Sequence, residues 1–284
     1  MNNDEHKQKV MASFDMASEG YDCPSLRFFV ESASWMIKKL ELKGNENLLD
    51  IATGTGHVAI TAALKLGSGK VTGIDLSEKM LQKAVSKANE SNLQNVTFKC
   101  CDIEDMGFDD NTFNAACCAF GLFFLPNMEN GLRCISKVLK PEGKLAITSF
   151  TPSLMKPLRG MLLEGIKKYG VEPPPLSWMR LDAPDKITVL LSRAGFRDIN
   201  IKSKQMGYNL KNSQEWREVL WNSGHRGLLS RLSVEDLKRF MDEHLGEVDS
   251  VADENGIWLE VEVLLATAAA RKEYTGGLLH GHKR

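Results

Sequence analysis

The sequence has no excess of charge of either sign. Lysine and arginine number 36 against 37 aspartate and glutamate, a net charge of −1. Proteins that grip nucleic-acid phosphates draw on a basic excess, so nucleic acid is not expected as a partner. Long apolar runs are also missing. The longest, Ala115 to Leu125, is shorter than the ~20 residues of a membrane-spanning helix and contains Gly121. Stable membrane insertion is therefore not expected. The opening Met1-Asn2-Asn3-Asp4-Glu5-His6-Lys7 is polar where a signal peptide would be apolar. Cys100-Cys101 and Cys117-Cys118 are adjacent pairs, and Cys23 and Cys134 stand alone, so no zinc-finger spacing exists. No metal is expected, and reduced thiols point to a cytoplasmic setting. Internal repeats and low-complexity tracts are lacking too.

What is present centres on Leu48-Leu49-Asp50-Ile51-Ala52-Thr53-Gly54-Thr55-Gly56-His57. A short apolar run ends in a Gly-x-Gly turn, and a helix-like pattern follows. Twenty-one residues after Gly54 a second apolar run ends in an acid, Val71-Thr72-Gly73-Ile74-Asp75. This is the pattern of a βαβ unit holding an adenosine. Glycines let the backbone approach the ligand, and the acid at the end of the next strand takes ribose hydroxyls.

Two ligand classes compete for such a unit. A dinucleotide site places pyrophosphate on the helix N-terminus and prefers G-x-G-x-x-G/A, which Ala59 satisfies. Asp50, however, precedes Gly54 by four residues, where a carboxylate serves an ammonium better than a pyrophosphate. Asp102, closing Phe98-Lys99-Cys100-Cys101, stands where it would accept from an adenine amino group. Ammonium, ribose and adenine in a row describe S-adenosylmethionine (SAM) better than NAD.

These segments resemble class I SAM-dependent methyltransferases. Asp50 to Gly56 is similar to their motif I, Ile74 to Leu81 to their second-strand segment, and Asp102 to Phe108 to their adenine segment. Phe113 to Phe120 is similar to their fourth strand, and Val138 to Leu145 to the turn into the fifth. Phe14-Asp15 with Tyr21-Asp22 resembles the entry of the ubiquinone/menaquinone C-methyltransferase type. The likeness is dense over 45–150. Ala52 replaces the first motif glycine, and His57 stands where that type often has aspartate. The resemblance implies an α/β fold: a Rossmann-like, seven-stranded, mostly parallel sheet with helical N-terminal and lid additions. It implies cofactor contacts from Tyr21, Asp50, Ala52, Thr53, Gly54, Thr55, Gly56, Asp75, Leu76, Met80, Asp102, Ile103, Ala119 and Phe120.

The periodicity predicts two helices over 5–41 and strands near 47–51, 70–75, 95–100, 113–119 and 143–150. Asn127 starts a helix to about Leu139, and Phe196–Lys204 and Ile257–Thr267 read as two further strands. The domain reading is a helical cover over 1–44, a SAM-binding core over 45–204 plus 256–273, and a helical lid over 205–255. Within the lid, Ser223-Gly224-His225-Arg226-Gly227 presents a histidine between glycines, and His225 is the candidate for substrate contact or base. A helix N-terminus disfavours a cation at His57, which reads as a neutral hydrogen-bonding residue near SAM. The expected activity is methyl transfer from SAM to a small, apolar or aromatic acceptor. A SAM-binding sensor without catalysis and an NAD-dependent oxidoreductase are the alternatives. Oligomeric state is not legible.

Overall fold

The computed structural model of the chain describes residues 3–271. Two helices come first, α1 (Asn3–Ala17) and α2 (Phe28–Leu40). Strands and helices then alternate: β1 (Asn47–Ile51), α3 (His57–Lys65), β2 (Lys70–Asp75), α4 (Glu78–Glu90), β3 (Val96–Cys100), β4 (Phe113–Ala119), α5 (Met128–Val138) and β5 (Leu139–Phe150). The second half contains α6 (Leu158–Lys167), α7 (Pro184–Arg193), β6 (Arg197–Gln205), β7 (Tyr208–Leu210), α8 (Ser213–Trp221), α9 (Arg226–Leu229), α10 (Val234–Asp249), β8 (Ile257–Leu259) and β9 (Glu262–Ala269).

Helical crossovers force parallel pairing, and β1 pairs in parallel with β2 and β4, as β2 does with β3 and β4 with β5. β9 runs antiparallel between β5 and β6. The seven-stranded order is β3-β2-β1-β4-β5-β9-β6. The order reverses between β1 and β4, where open α/β sheets place their ligands.

Successive strand residues point to opposite faces, so Leu48 and Leu49 serve different cores. On one face Ala33, Met36, Ile37 and Leu40 of α2 meet Val58, Ala59, Ala62 and Ala63 of α3. The alanines let the two helices close on each other, and each buried Met or Leu contributes roughly 1.5–3 kcal/mol. On the other face α5 and α7 cover the sheet. Helix starts are fixed by caps: Ser77 Oγ accepts from the Met80 N–H at 3.1 Å, and Asn127 Oδ1 from the Asn130 N–H at 3.0 Å.

Several expectations change. The strand over 257–267 is two strands, because the Glu260 and Val261 carbonyls accept from the Met155 and Met206 N–H groups at 2.7 and 2.8 Å. β8 leaves the main sheet and pairs with β7. β5 begins at Leu139 rather than 143, pairing with Phe113 before a register shift. The N-terminal cover divides: α1 sits over the sheet edge, whereas α2 is a layer helix on the sheet face. The last two residues of the 256–273 segment lie outside the described residues. Among those described, no helix is long and apolar enough to cross a membrane.

Candidate functional site

A cavity opens at the carboxyl ends of β1, β2 and β4. Its empty volume, mouth included, is about 910 Å³. Its floor is the turn after β1. Ala52 and Gly54 take left-handed φ values of 52° and 56°. A Cβ placed on Gly54 would meet nothing within 4 Å, so this glycine presents bare backbone to open space. Ala52 fits because Gly121 faces it; a Cβ there would stand 2.5 Å from the Ala52 methyl.

Asp75 is set by backbone alone. Its Oδ2 accepts from the Gly54 N–H at 2.8 Å and its Oδ1 from the Ser77 N–H at 2.9 Å. Burial raises its pKa, partly offset by those two amides. Leu76, Met80, Ile103, Ala119 and Phe120 also line the cavity. Asp102 stands on the wall, its Oδ2 holding the Lys7 ammonium at 2.6 Å. Lys7 reaches Glu104 as well. These residues fit SAM: a carboxylate at the ribose position, apolar side chains beside it, and open space over Gly54.

The cover comes from α1, whose Lys7, Val10, Met11 and Phe14 face the cavity. Val10, Met11 and Phe14 form a helical stripe that the sequence shows, but nothing local marks Lys7 as a partner of Asp102. Tyr21 lines the cavity and stacks on Phe29 at 5.0 Å. Burial, then the charges of Asp75 and Asp22, push its hydroxyl pKa up. Next to it Asp22 accepts from Thr55 Oγ1 at 2.6 Å and pairs with His57 Nε2 and Lys87 Nζ, each at 2.8 Å. The cluster ties the N-terminal segment to the glycine loop and α4. Those hydrogen bonds and the Lys87 charge hold the Asp22 carboxyl well below the usual carboxylate range despite its burial.

Four of the expected cofactor residues do not reach the cavity wall. Asp50 is 1 % exposed and lies beneath the loop. Its Oδ2 accepts from Thr53 Oγ1 at 2.6 Å and from the Ala59 N–H at 3.0 Å, while Oδ1 has no partner. Burial pushes its carboxyl up to about 7. Thr53 is committed to Asp50, Thr55 turns to Asp22, and Gly56 caps α3 against Ala84. These residues shape the loop from below.

His225, the candidate base, is also not brought to the cavity. It precedes α9, with Nδ1 2.9 Å from Ser223 Oγ. Burial and the nearby Arg159 charge push its pKa down to about 4, so it is neutral at pH 7. Aromatic rings line the cavity. Phe120 faces the cavity and stacks on Phe150 at 4.4 Å; Phe14 packs edge-on against Phe124 at 5.3 Å. Phe150 and Arg159 carry no local signal in the sequence: Phe150 reaches the cavity only through Phe120, and Arg159 only through Trp178 and Phe150. Among the described residues no group of three histidine, cysteine or acidic side chains is placed to hold a metal.

The family model for the methyltransferase domain matches residues 42–195. A ubiquinone/menaquinone biosynthesis C-methyltransferase of Rickettsia bellii is 32% identical over 185 residues, covering 57% of this chain and 73% of that protein. The aklanonic acid methyltransferase DauC of a Streptomyces species is 31% identical over 150 residues, covering 52% and 68%. Among solved structures, the YcgJ protein of Bacillus subtilis superposes with a TM-score of 0.58 at 20% identity, covering 85% of this chain and 99% of that one.

Proposed function

From the premise that this chain belongs to the methyltransferase domain family, we propose which residues serve the reaction and what kind of molecule receives the methyl group. The protein is a SAM-dependent methyltransferase acting on a small molecule. When bound, SAM supplies an electrophilic methyl carbon on a sulfonium. Asp75, fixed by the Gly54 and Ser77 amides, takes the ribose hydroxyls. Leu76, Met80 and Ile103 enclose the adenine, and Asp102 accepts from its amino group, sharing its charge with Lys7. The bare backbone at Gly54 admits the amino-acid tail, and Tyr21 closes over it. Asp50, Thr53, Thr55 and Gly56 keep the loop in place. Excluding water under α1 favours in-line alignment, which supplies much of the rate.

The acceptor on this reading is a quinol-like aromatic ring. The rings of Phe14, Phe120 and Phe124 that line the cavity suit a flat apolar molecule. The backbone-held Asp75 beside the open space over Gly54 is the observation that carries the proposal. The charge balance supports a protein that does not bind nucleic acid, and the free cysteines support a cytoplasmic setting. Of the 1–44 cover, α1 is the part that lines the cavity, and we read 205–255 as a helical lid. Incubation with methyl-labelled SAM and a panel of hydroquinones tests the proposal. Label in a methylated ring is expected, and SAM binding without transfer to any of them would favour a sensor.

A further inference from the structure

Arg159 is a buried cation without an anion. It is 7 % exposed. Its guanidinium donates to the carbonyl oxygens of Leu154 and Pro152 and lies 4.8 Å from the centre of the Trp178 ring. Among the described residues no carboxylate forms an ion pair with it. Burial lowers its pKa, and no acid pulls it back. Arginines this deep are as a rule paired, because an uncompensated buried charge is costly. Nη1 and Nη2 each donate to one carbonyl, and no buried Arg159 nitrogen is left without a partner, so what the group lacks is a counter-charge rather than a hydrogen bond.

The surroundings say what would complete it. His225 stands beside Arg159 and is neutral, so it adds no competing charge. Trp178 packs edge-on against Phe150 at 6.5 Å, and Phe150 stacks on Phe120, which faces the cofactor cavity. From the other side, a Cβ on Gly224 would stand 3.9 Å from the Phe14 ring, another cavity wall. A positive group thus lies behind an aromatic wall shared with the site of methyl transfer.

We propose that Arg159 anchors an anionic oxygen of the methyl acceptor, a carboxylate or an ionised phenol, while Phe120, Phe150 and Trp178 hold the acceptor's apolar body. The proposal rests on the methyltransferase reading above and names the acceptor's charge. A planar anion matches the guanidinium fork, and the low-polarity surroundings strengthen the contact. Entry requires Phe150 to leave its stack on Phe120. The same anchor would raise the electron density of an attached aromatic ring by favouring its ionised form.

Calorimetry on the full chain loaded with S-adenosylhomocysteine tests this with two matched pairs. Naphthoate against naphthamide probes the carboxylate; picrate against trinitroanisole probes the ionised phenol. In the wild type at least one anion is expected to bind about tenfold or more tighter than its neutral partner, as a charge-assisted bond implies. The anion that does so identifies the class. Arg159→Gln should erase that preference while leaving the neutral partner and S-adenosylhomocysteine within about twofold. If Arg159 merely staples the 152–154 turn, Arg159→Gln lowers the melting temperature and leaves the preference unchanged. No preference in the wild type, or an equal loss for anion and neutral partner in the variant, overturns the proposal. Should Arg159→Gln not fold, Arg159→Lys carries the comparison: a weakened preference supports the anchor and an unaltered one overturns it. Failure of S-adenosylhomocysteine to bind the wild type would instead strike the cofactor reading.

Discussion

On the floor of the cavity Asp75 is held by two backbone amides, from Gly54 at 2.8 Å and Ser77 at 2.9 Å. On its rim Asp102 is held by the ammonium of Lys7, a long side chain from α1. Both acids face the same space, yet they are positioned by different means. The floor depends on left-handed turns at Ala52 and Gly54, which are fixed once β1 and β2 pair. The cover depends on side chains crossing between elements: Lys7 to Asp102, Ser77 to Asp15, and Lys87 and His57 to Asp22. Backbone-held groups lose little entropy when a ligand arrives. A side-chain-held cover opens more readily, because each contact must immobilise flexible side chains from two elements.

The contrast breaks most decisively at Asp75. Asp75→Ala is expected to weaken SAM binding by about 2–4 kcal/mol without unfolding the protein, since ribose hydroxyls lose their acceptor in a dry site. Normal SAM affinity in that variant, read by calorimetry, would remove the floor's main contact from the account.

Next in size is the acid under the floor. The Asp50 carboxyl is pushed up to about 7 by burial, above its ordinary ~3.9. Its favourable contribution is therefore fully present below about pH 4 and is lost as pH rises through 7. Asp50→Asn should flatten the fall in melting temperature over that window, worth about 1–3 kcal/mol. An unaltered pH profile would mean the site is wetter than the structure shows.

His225→Ala sharpens the comparison from the 205–255 segment. The histidine lies outside the cavity, so SAM affinity should stay within about twofold while stability drops by about 1 kcal/mol through the lost Ser223 contact. With a folded-state pKa of about 4, the imidazole's stabilisation is complete above its unfolded pKa of ~6.5 and is lost as pH falls toward 4. The variant's acid-side melting curve should be correspondingly flatter. A large loss of SAM affinity would return His225 to the cofactor site.

The smallest effect belongs to Lys7. Removing it in Lys7→Met should change SAM affinity by only about 0.2–1 kcal/mol and reduce its dependence on salt. A loss as large as that of Asp75→Ala would show that cover and floor are not built differently after all.

The floor was legible in the sequence because its determinants are local. Gly54, Gly56 and Asp75 are spaced by one βαβ unit, and β1 to β4 lie where the apolar runs put them. The break at Glu260-Val261 was not, since it follows from carbonyls captured by Met155 and Met206 far along the chain. Asp50 read as a ligand for ammonium because strand-end position is visible in sequence and depth is not; it turned out to be spent on Thr53 and Ala59. His225 read as a site residue for its glycine neighbours, but it is held by Ser223 and does not line the cavity. Lys7 and Arg159 carried no local signal. Their meaning comes from what lies opposite, an acid for one and no acid for the other.

The central claim is that this floor holds SAM. Calorimetric titration of the full chain with SAM and, separately, with NAD tests it most directly. Saturable SAM binding at one site, on the order of micromolar, is expected, with no heat of binding from NAD. Saturable NAD binding with no SAM signal would contradict it.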